Sequence, residues 1–275
     1  MSGYLKLPII SSGGGGGSGD VVGPSSATDT AIAIWDTTSG KLLQDSKITV
    51  DVDGRLVQTG LIDSVFIGSG AGAVDDLSNN GNTGIGTSAL ILNTIGANNT
   101  AVGNLAGSKV YVGNNNSFFG AASASAGAGS FTGSSNSGFG YHTLQDVWSS
   151  SSFNLALGAE AGKNVTVGHR NIFVGGNAGT TLISGDDNIL IGYGVNTPTT
   201  TTSDYLNIGD LIEGDLVNGN MGLGSVDYGS GVGVMAIGNG TAPSGTPTGG
   251  GVLYVESGSL KFKGSSGTIT VLGVA

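Results

Sequence analysis

The chain has 275 residues, of which 54 are glycine, 5 are proline and none is cysteine, so a disulfide scaffold and a cysteine-based zinc site are excluded. Nine Lys and Arg stand against nineteen Asp and Glu, and the formal net charge of −10 disfavours nucleic acid as a partner. No apolar run approaches about 18 residues, so no membrane insertion is predicted, and the scarcity of Glu and Lys disfavours long helices.

The N-terminal segment, residues 1–26, divides into a short semi-apolar arm and a Gly/Ser-rich linker. The apolar stretch of the arm is too short for a signal peptide and is broken by Lys6 and Pro8. The linker has the composition of a flexible tether. We predict that the arm attaches the chain to a larger particle, with a merely frayed terminus as the alternative. The residues assigned to this attachment are Tyr4, Leu5, Leu7, Pro8, Ile9 and Ile10.

Residues 27–62 predict a small β-meander. Apolar residues alternate with small ones at 31–35, and turns are expected at 36–40 and 51–54. The second turn looks like the start of a calcium loop, but the distal Glu of such a loop is missing. A plain turn is therefore predicted there.

Residues 63–240 carry a repeat with a step of mostly 17 residues. Each copy has a small polar residue, usually Asn, then two variable residues, a large apolar residue and Gly, as in Asn154-Leu-Ala-Leu-Gly158. Eleven copies can be counted, four of them degenerate, with closing glycines at 68, 209, 224 and 238. The glycines that close the seven clear copies are Gly86, Gly103, Gly120, Gly140, Gly158, Gly175 and Gly192.

Each unit also contains a second apolar stretch that ends in glycine, which predicts a coil of two short strands and two turns. Coils stacked about 4.8 Å apart would form a rod roughly 50 Å long. Gly is expected where φ is positive or a neighbour lies close, and Asn where amides stack in ladders. The apolar residue before each Gly is expected to face inward. The predicted fold class is all-β, a parallel β-roll or β-solenoid.

Candidate catalytic and metal-binding groups are few. The two histidines, His142 and His169, lie in different repeat turns, so only threefold symmetry would bring copies of one together. Acidic pairs at 75–76 and 186–187, with Asp204, Asp210 and Glu213, leave three interpretations open. They are a glycosidase dyad, a Ca²⁺ site and, as the favoured interpretation, solvated loop acids that keep a Gly-rich rod soluble. We assign no catalytic residue, no cofactor and no metal ligand, and we predict no enzyme activity.

Residues 241–275 predict a meander with strands at 252–255, 260–263 and 268–272, which would cap the exposed edge of the roll. An exposed aromatic ring offers a platform for a sugar. Trp148, in the stretch 144–152, is the best such candidate, and its packing back onto the roll is the alternative. The candidate receptor contacts are Trp148, Tyr254, Lys261 and Lys263.

The repeat resembles the head repeats of YadA-like trimeric adhesins, a left-handed parallel β-roll. The matching words are Asn99-Thr-Ala-Val-Gly103 and Asn154-Leu-Ala-Leu-Gly158-Ala-Glu-Ala-Gly162, and the resemblance covers about residues 64–238. It implies a homotrimer, in agreement with the small core that a thin coil buries alone. Residues 19–50 and 249–272 look like segments of bacteriophage tail-fibre and related virion proteins.

These features predict a structural fibre or spike protein of a bacteriophage, located on the virion surface at the tail or the capsid. Its expected partners are two further copies of itself, other virion proteins through the N-terminal arm, and host-surface glycan. One alternative is a capsid decoration (head fibre) protein with no dedicated receptor. A bacterial trimeric adhesin would need a signal peptide, a heptad stalk and membrane-anchor strands. A polysaccharide depolymerase would need a wider solenoid.

Overall fold

A computed structural model of the chain describes residues 31–35, 43–50, 56–58, 64–76, 80–125, 131–147, 150–224 and 230–273. These residues form strands and turns, with no helix among them, so the predicted all-β fold class is confirmed. None of the described segments is a helix that could cross a membrane. The chain divides into two compact units, residues 1–60 and 61–275.

The first unit contains a three-stranded antiparallel sheet. Its strands are β1 (Ala31–Trp35), β2 (Leu43–Val50) and β3 (Leu56–Gln58), in the order β1-β2-β3. The attachment residues of the arm and the two turns predicted at 36–40 and 51–54 lie outside the described residues.

The second unit is dominated by nine short parallel strands, one from each coil of a β-solenoid. Equivalent residues pair from coil to coil, as Ile172 does with Leu155 on one side and with Ile189 on the other. The predicted parallel β-solenoid with coils of about 17 residues is therefore confirmed. The strands are β4 (Val65–Ile67), β5 (Thr83–Ile85), β6 (Thr100–Val102), β7 (Ser117–Phe119), β8 (Ser137–Phe139), β9 (Leu155–Leu157), β10 (Ile172–Val174), β11 (Ile189–Ile191) and β12 (Tyr205–Ile208).

Each coil has one strand, and the prediction of two strands per coil is wrong. The second apolar stretch is mostly turn, and its ladder is reduced to single contacts such as the isolated bridge between Val110 and Phe131. It still stacks, because the Thr166 N–H donates to the Ile183 carbonyl at 2.8 Å. Left-handed residues lie on both sides of this stretch, at Gly162 and Arg170 in one coil, so too few extended residues remain for a ladder.

The central residue of each strand, and not the residue before the glycine, faces the core. Ala101, Phe118 and Phe173 are central residues and are fully buried. Leu157, which precedes Gly158, is 49% exposed, so the expected inward orientation of this position is wrong. The side chains of a strand alternate between its two faces. In β5–β11 the buried Asn lies one residue before the strand, two positions from the central strand residue, so both face the core. The residue before the glycine is one position further along and therefore points outward.

The regular coils end at β12, so the eleven copies counted in the sequence do not all form coils. After Ile208 the chain reverses, and β13 (Ile212–Asp215) runs antiparallel to β12. The next strand, β14 (Asn220–Leu223), is antiparallel to β13, and β15 (Met235–Ile237) is parallel to β14. The last two repeat steps, 15 and 14 residues, are shorter than a full coil. Nine parallel strands give a sheet about 40 Å long.

The chain ends in a second antiparallel sheet. Its strands are β16 (Gly251–Glu256), β17 (Ser259–Gly264) and β18 (Ile269–Gly273), in that order. The outer edge of β16 is partly occupied, because the Gly240 N–H donates to the Val255 carbonyl at 2.8 Å.

The glycines that close the strands lie where neighbouring coils come closest. All seven glycines of the clear copies have φ between 126° and 140°, a region that L side chains rarely adopt. At Gly158 a Cβ atom would lie 2.6 Å from the carbonyl carbon of Gly175 in the next coil. Both the backbone conformation and the lack of space therefore require glycine here.

We predict that Gly158→Ala destabilises the second unit by about 3 kcal/mol or more, because strain at φ +126° adds to a clash with backbone. The thermal unfolding midpoint, followed by circular dichroism, measures the effect. Gly245→Ala is the matched control, since a Cβ atom there has no neighbour within 4 Å. Equal midpoints for the two variants would contradict the close-approach explanation.

Candidate assembly interface

The outer face of the parallel sheet consists of two rows of side chains, which we call the outer strip. The first row holds the residue two positions before the end of each strand, and the second row holds the last residue of each strand. The first row is Val65, Thr83, Thr100, Ser117, Ser137, Leu155, Ile172, Ile189 and Leu206. The second row is Ile67, Ile85, Val102, Phe119, Phe139, Leu157, Val174, Ile191 and Ile208.

The outer strip is apolar, uncharged and open to solvent in the single chain. Every residue of the second row is aliphatic or aromatic, and no residue of either row is charged. All are half-buried or exposed, with Ile67 the most open at 58%. The strip measures about 40 Å by 10 Å, roughly 400 Å², which is the size of the largest apolar patch on a typical monomer, a patch that is often functional.

The strip is uneven near its middle. The Phe119 and Phe139 rings stack in parallel, with centroids 5.2 Å apart and an interplanar angle of 6°. Beside them, in the first row of the same two strands, are Ser117 and Ser137. A ridge of two rings therefore lies next to a shallow trough.

A ladder of buried amides inside the roll keeps the strip in register. The N–H and the Nδ2 of Asn154 both donate to Oδ1 of Asn136, at 3.0 Å, and Nδ2 also donates to the Gly168 carbonyl at 2.8 Å. The ladder begins at Ser64, whose Oγ accepts the Asn82 N–H, and ends where the Tyr205 N–H donates to Asn188. Its members, all buried, are Asn82, Asn99, Asn116, Asn136, Asn154, Asn171 and Asn188.

A second ladder runs along the turn that precedes the strands, and the sequence reasoning missed it. In each step a backbone N–H donates to the side chain one coil further on, the reverse of the amide ladder. The Ser152 N–H donates to Nδ1 of His169 at 3.2 Å, and the His169 N–H donates to Oδ1 of Asp186 at 2.7 Å. The available signal was an acceptor side chain two residues before Asn or its equivalent, at Asn114, Ser134, Ser152, His169, Asp186 and Ser203.

The acidic pair at 186–187 takes part in these turn contacts. Arg170 donates to both carboxylate oxygens of Asp187, at 2.6 Å each, and this hydrogen bonding lowers the pKa of Asp187 and raises the pKa of Arg170. Asp186 accepts the His169 N–H. Both carboxylates therefore bond within the roll. At the other pair, 75–76, Asn80 donates to Asp76 at 3.1 Å. Within the described ranges no three His, Cys, Asp or Glu residues are grouped so as to hold a metal ion.

The two histidines lie in different corners of the roll. His169 belongs to the turn before β10, as described above. His142 follows β8, and its ring stacks on Tyr141 with centroids 3.7 Å apart. The structure does not bring these two imidazoles together within one chain.

Three of the predicted receptor residues lie on one face of the C-terminal sheet. Tyr254 is buried, and Lys263 is buried with Nζ donating to the Pro243 carbonyl at 2.7 Å. Lys261 pairs with Glu256 at 2.7 Å, and this contact lowers the pKa of the Glu256 carboxyl. The two lysines therefore bond within the chain, and Tyr254 is buried. Trp148, the fourth candidate, lies outside the described residues, and the receptor assignment stays a prediction.

The chain matches no protein-family model, no curated protein and no solved structure. The β-solenoid and its outer strip therefore carry the functional argument.

We predict that Asn154→Ala destabilises the roll by about 3–5 kcal/mol, because it removes a donor to the Gly168 carbonyl and the acceptor of two Asn171 donors. Asn154→Asp keeps the shape but loses the donor, and should be similarly unstable at neutral pH. Chemical denaturation gives the free energy of unfolding. The control is Asn104→Ala at an exposed corner, which should change stability by about 0.5 kcal/mol or less. Comparable losses for Asn154→Ala and Asn104→Ala would refute the ladder's role.

Proposed function

We propose that this chain is a structural fibre or spike protein of a bacteriophage particle and that it works as a homotrimer. The observation that carries the self-assembly is the outer strip. An apolar, uncharged sheet face runs the length of the roll, and covering it lowers the free energy of the protein because apolar surface is removed from water. Three copies that turn roughly 400 Å² each toward a common axis would bury about 1,200 Å² in all, which is about 400 Å² for each of the three pairwise contacts.

The hydrogen bonds between the coils of the roll suit a stiff spacer. Two hydrogen-bond ladders run along it in opposite directions, and every regular coil hydrogen-bonds the next through backbone as well. Such a solenoid resists bending because each coil is held at several corners. A rod of this kind can project surface loops away from a particle.

The proposal places the chain on the virion surface, at the tail or the capsid, with residues 1–26 bound to other virion proteins. Host-surface glycan is the proposed receptor class, bound by loops of the roll and by the C-terminal sheet. Three identical chains would raise weak single-site affinities through avidity. We propose no catalytic role for any residue.

A second candidate is a capsid decoration protein with no dedicated receptor. This candidate is favoured because three predicted receptor residues offer few groups to a ligand. Tyr254 and Lys263 are buried, and Lys261 is paired with Glu256. Labelling of the particle with an antibody against this chain, viewed by electron microscopy, separates tail from capsid attachment.

We predict that the intact chain sediments at three times its 26.9 kDa mass and that Leu157→Glu sediments as a single chain. A carboxylate placed in the covered strip would be desolvated in three copies at once, weakening assembly by about 100-fold or more. Val167→Glu is the control, since Val167 lies on the same coil, away from the strip, and is similarly exposed, at 42% against 49% for Leu157. A native chain that sediments alone would refute the trimer.

We also predict that a chain lacking residues 1–26 still forms the trimer but no longer joins the particle. The expected result follows from an arm that attaches the rod without contributing to the roll. Gradient-purified particles, produced with either the full or the shortened chain, are compared by immunoblot. Equal incorporation of the full and the shortened chain would contradict the proposal that residues 1–26 attach the protein to the particle.

A further inference from the structure

We infer that copies of this chain assemble parallel and in register, with the second row of one copy against the first row of the next, and that Phe119 and Phe139 set the register. This rests on the proposed self-assembly through the outer strip and specifies its geometry. The observation behind it is the match in size between the two rows.

The two rows vary in opposite directions where the strip is most uneven. The second row reaches its largest residues at Phe119 and Phe139, and the first row reaches its smallest at Ser117 and Ser137, in the same two strands. In the next three strands both rows carry Leu, Ile or Val, namely Leu155, Leu157, Ile172, Val174, Ile189 and Ile191. In β7 and β8 a large second-row residue therefore lies beside a small first-row residue, whereas in β9–β11 the residues of the two rows are similar in size.

Rotation about an axis parallel to the rod uses this match. Such a rotation keeps the direction of the chain and the level of each coil, and it brings the second-row edge of one copy to the first-row edge of the next. The Phe119–Phe139 ridge then enters the trough at Ser117 and Ser137 of the neighbour. Close packing without voids favours this arrangement.

An antiparallel pairing of two copies does not place the phenylalanine ridge against the serine trough. A twofold axis along the strands would put second row against second row with the coil order reversed. With the axis at the level of β8, Phe139 would face Phe139 of the second copy and Phe119 would face Leu157, while Ser137 would face Ser137 and leave a gap. Overpacking on one side and voids on the other both disfavour this pairing.

The two rings also disfavour an axial slip. They stack as one unit with centroids 5.2 Å apart, so the ridge spans two coils. A slip of two coils, about 10 Å, would place both rings against residues other than serine. The ridge and the trough therefore have one register in which both rings fit.

A second copy suits the strip better than a foreign polymer. The strip offers no charge, and its polar side chains are four hydroxyls, at Thr83, Thr100, Ser117 and Ser137. The backbone N–H and carbonyl groups of inner strands are already used in the parallel ladder. A glycan would find few hydrogen-bond partners here, whereas an equally apolar face buries well against it.

The first test fills the trough and then restores it. Ser117→Phe/Ser137→Phe places rings in both rows, and we expect assembly to weaken by about 100-fold, measured by sedimentation across a concentration series. Exchanging the rows in both strands, with Phe119→Ser and Phe139→Ser added, restores a ridge and a trough and should recover assembly to within about tenfold of native. Circular dichroism checks that each variant folds. Tagged native chain should capture native chain but not the row-exchanged chain.

The second test reads the register with disulfides, for which the natural chain supplies no competing cysteine. A chain with Leu155→Cys and a differently sized chain with Leu157→Cys are co-expressed and oxidised, and a mixed disulfide is expected. Leu155→Cys with Ile191→Cys is the offset control, because the two positions differ by two coils, about 10 Å, beyond disulfide reach. Peptide mass spectrometry identifies the linked residues.

The outcomes separate this inference from the proposal beneath it. If the native chain sediments singly, or the strip is covered by a different molecule, self-assembly itself is wrong. If the native chain is a trimer but the filled-trough variant assembles equally well, or the offset pair links as readily as the level pair, the row-to-row register is wrong and the trimer stands.

Discussion

The buried amide ladder is the constraint on which the rest of the structure depends. Seven asparagines, one per coil, each place an amide in the core where water cannot reach it. An amide without partners there would cost free energy comparable to a lost hydrogen bond or more. The ladder satisfies them only if each Asn lies directly above the last, so it enforces coil-to-coil alignment. That alignment leads to the close backbone contacts at the strand-closing glycines, to the turn ladder and to the straight rows of the outer strip.

Alignment also decides how the core is filled. Identical positions stack, so a large residue needs small neighbours in the coils above or below it. Phe118 is followed in the next coil by Gly138, where a Cβ atom would lie 3.2 Å from the Phe118 ring. Each inner phenylalanine accordingly pairs with a small residue in a neighbouring coil: Phe66 with Gly84, Phe118 with Gly138, and Phe173 with Ala156. The outer face is equally apolar but has nothing of the described chain against it, and that difference makes assembly through the strip the most economical explanation.

Much of the fold could be predicted from sequence, because the repeat is strict at the positions with a mechanical role. Asn154 and Gly158, with their equivalents, marked the coil, its period and the parallel stacking. Hydrophobicity could not predict the orientation of the residue before the glycine, since Leu157 is as apolar as a core residue yet points outward. Strand alternation counted from the buried Asn would have predicted it. The turn ladder was missed because His169, Asp186 and Ser152 share only an acceptor atom, not a residue type. The reversal after Ile208 was signalled only by a shorter repeat step.

Cryo-electron microscopy of the purified full-length chain tests the central claim most directly, because it shows which faces of the roll are in contact. The account predicts three parallel chains around an axis along the rod, with the outer strips facing that axis and equivalent coils at one level. Single rolls with the strip in solvent, or an assembly built through the opposite face, would contradict it.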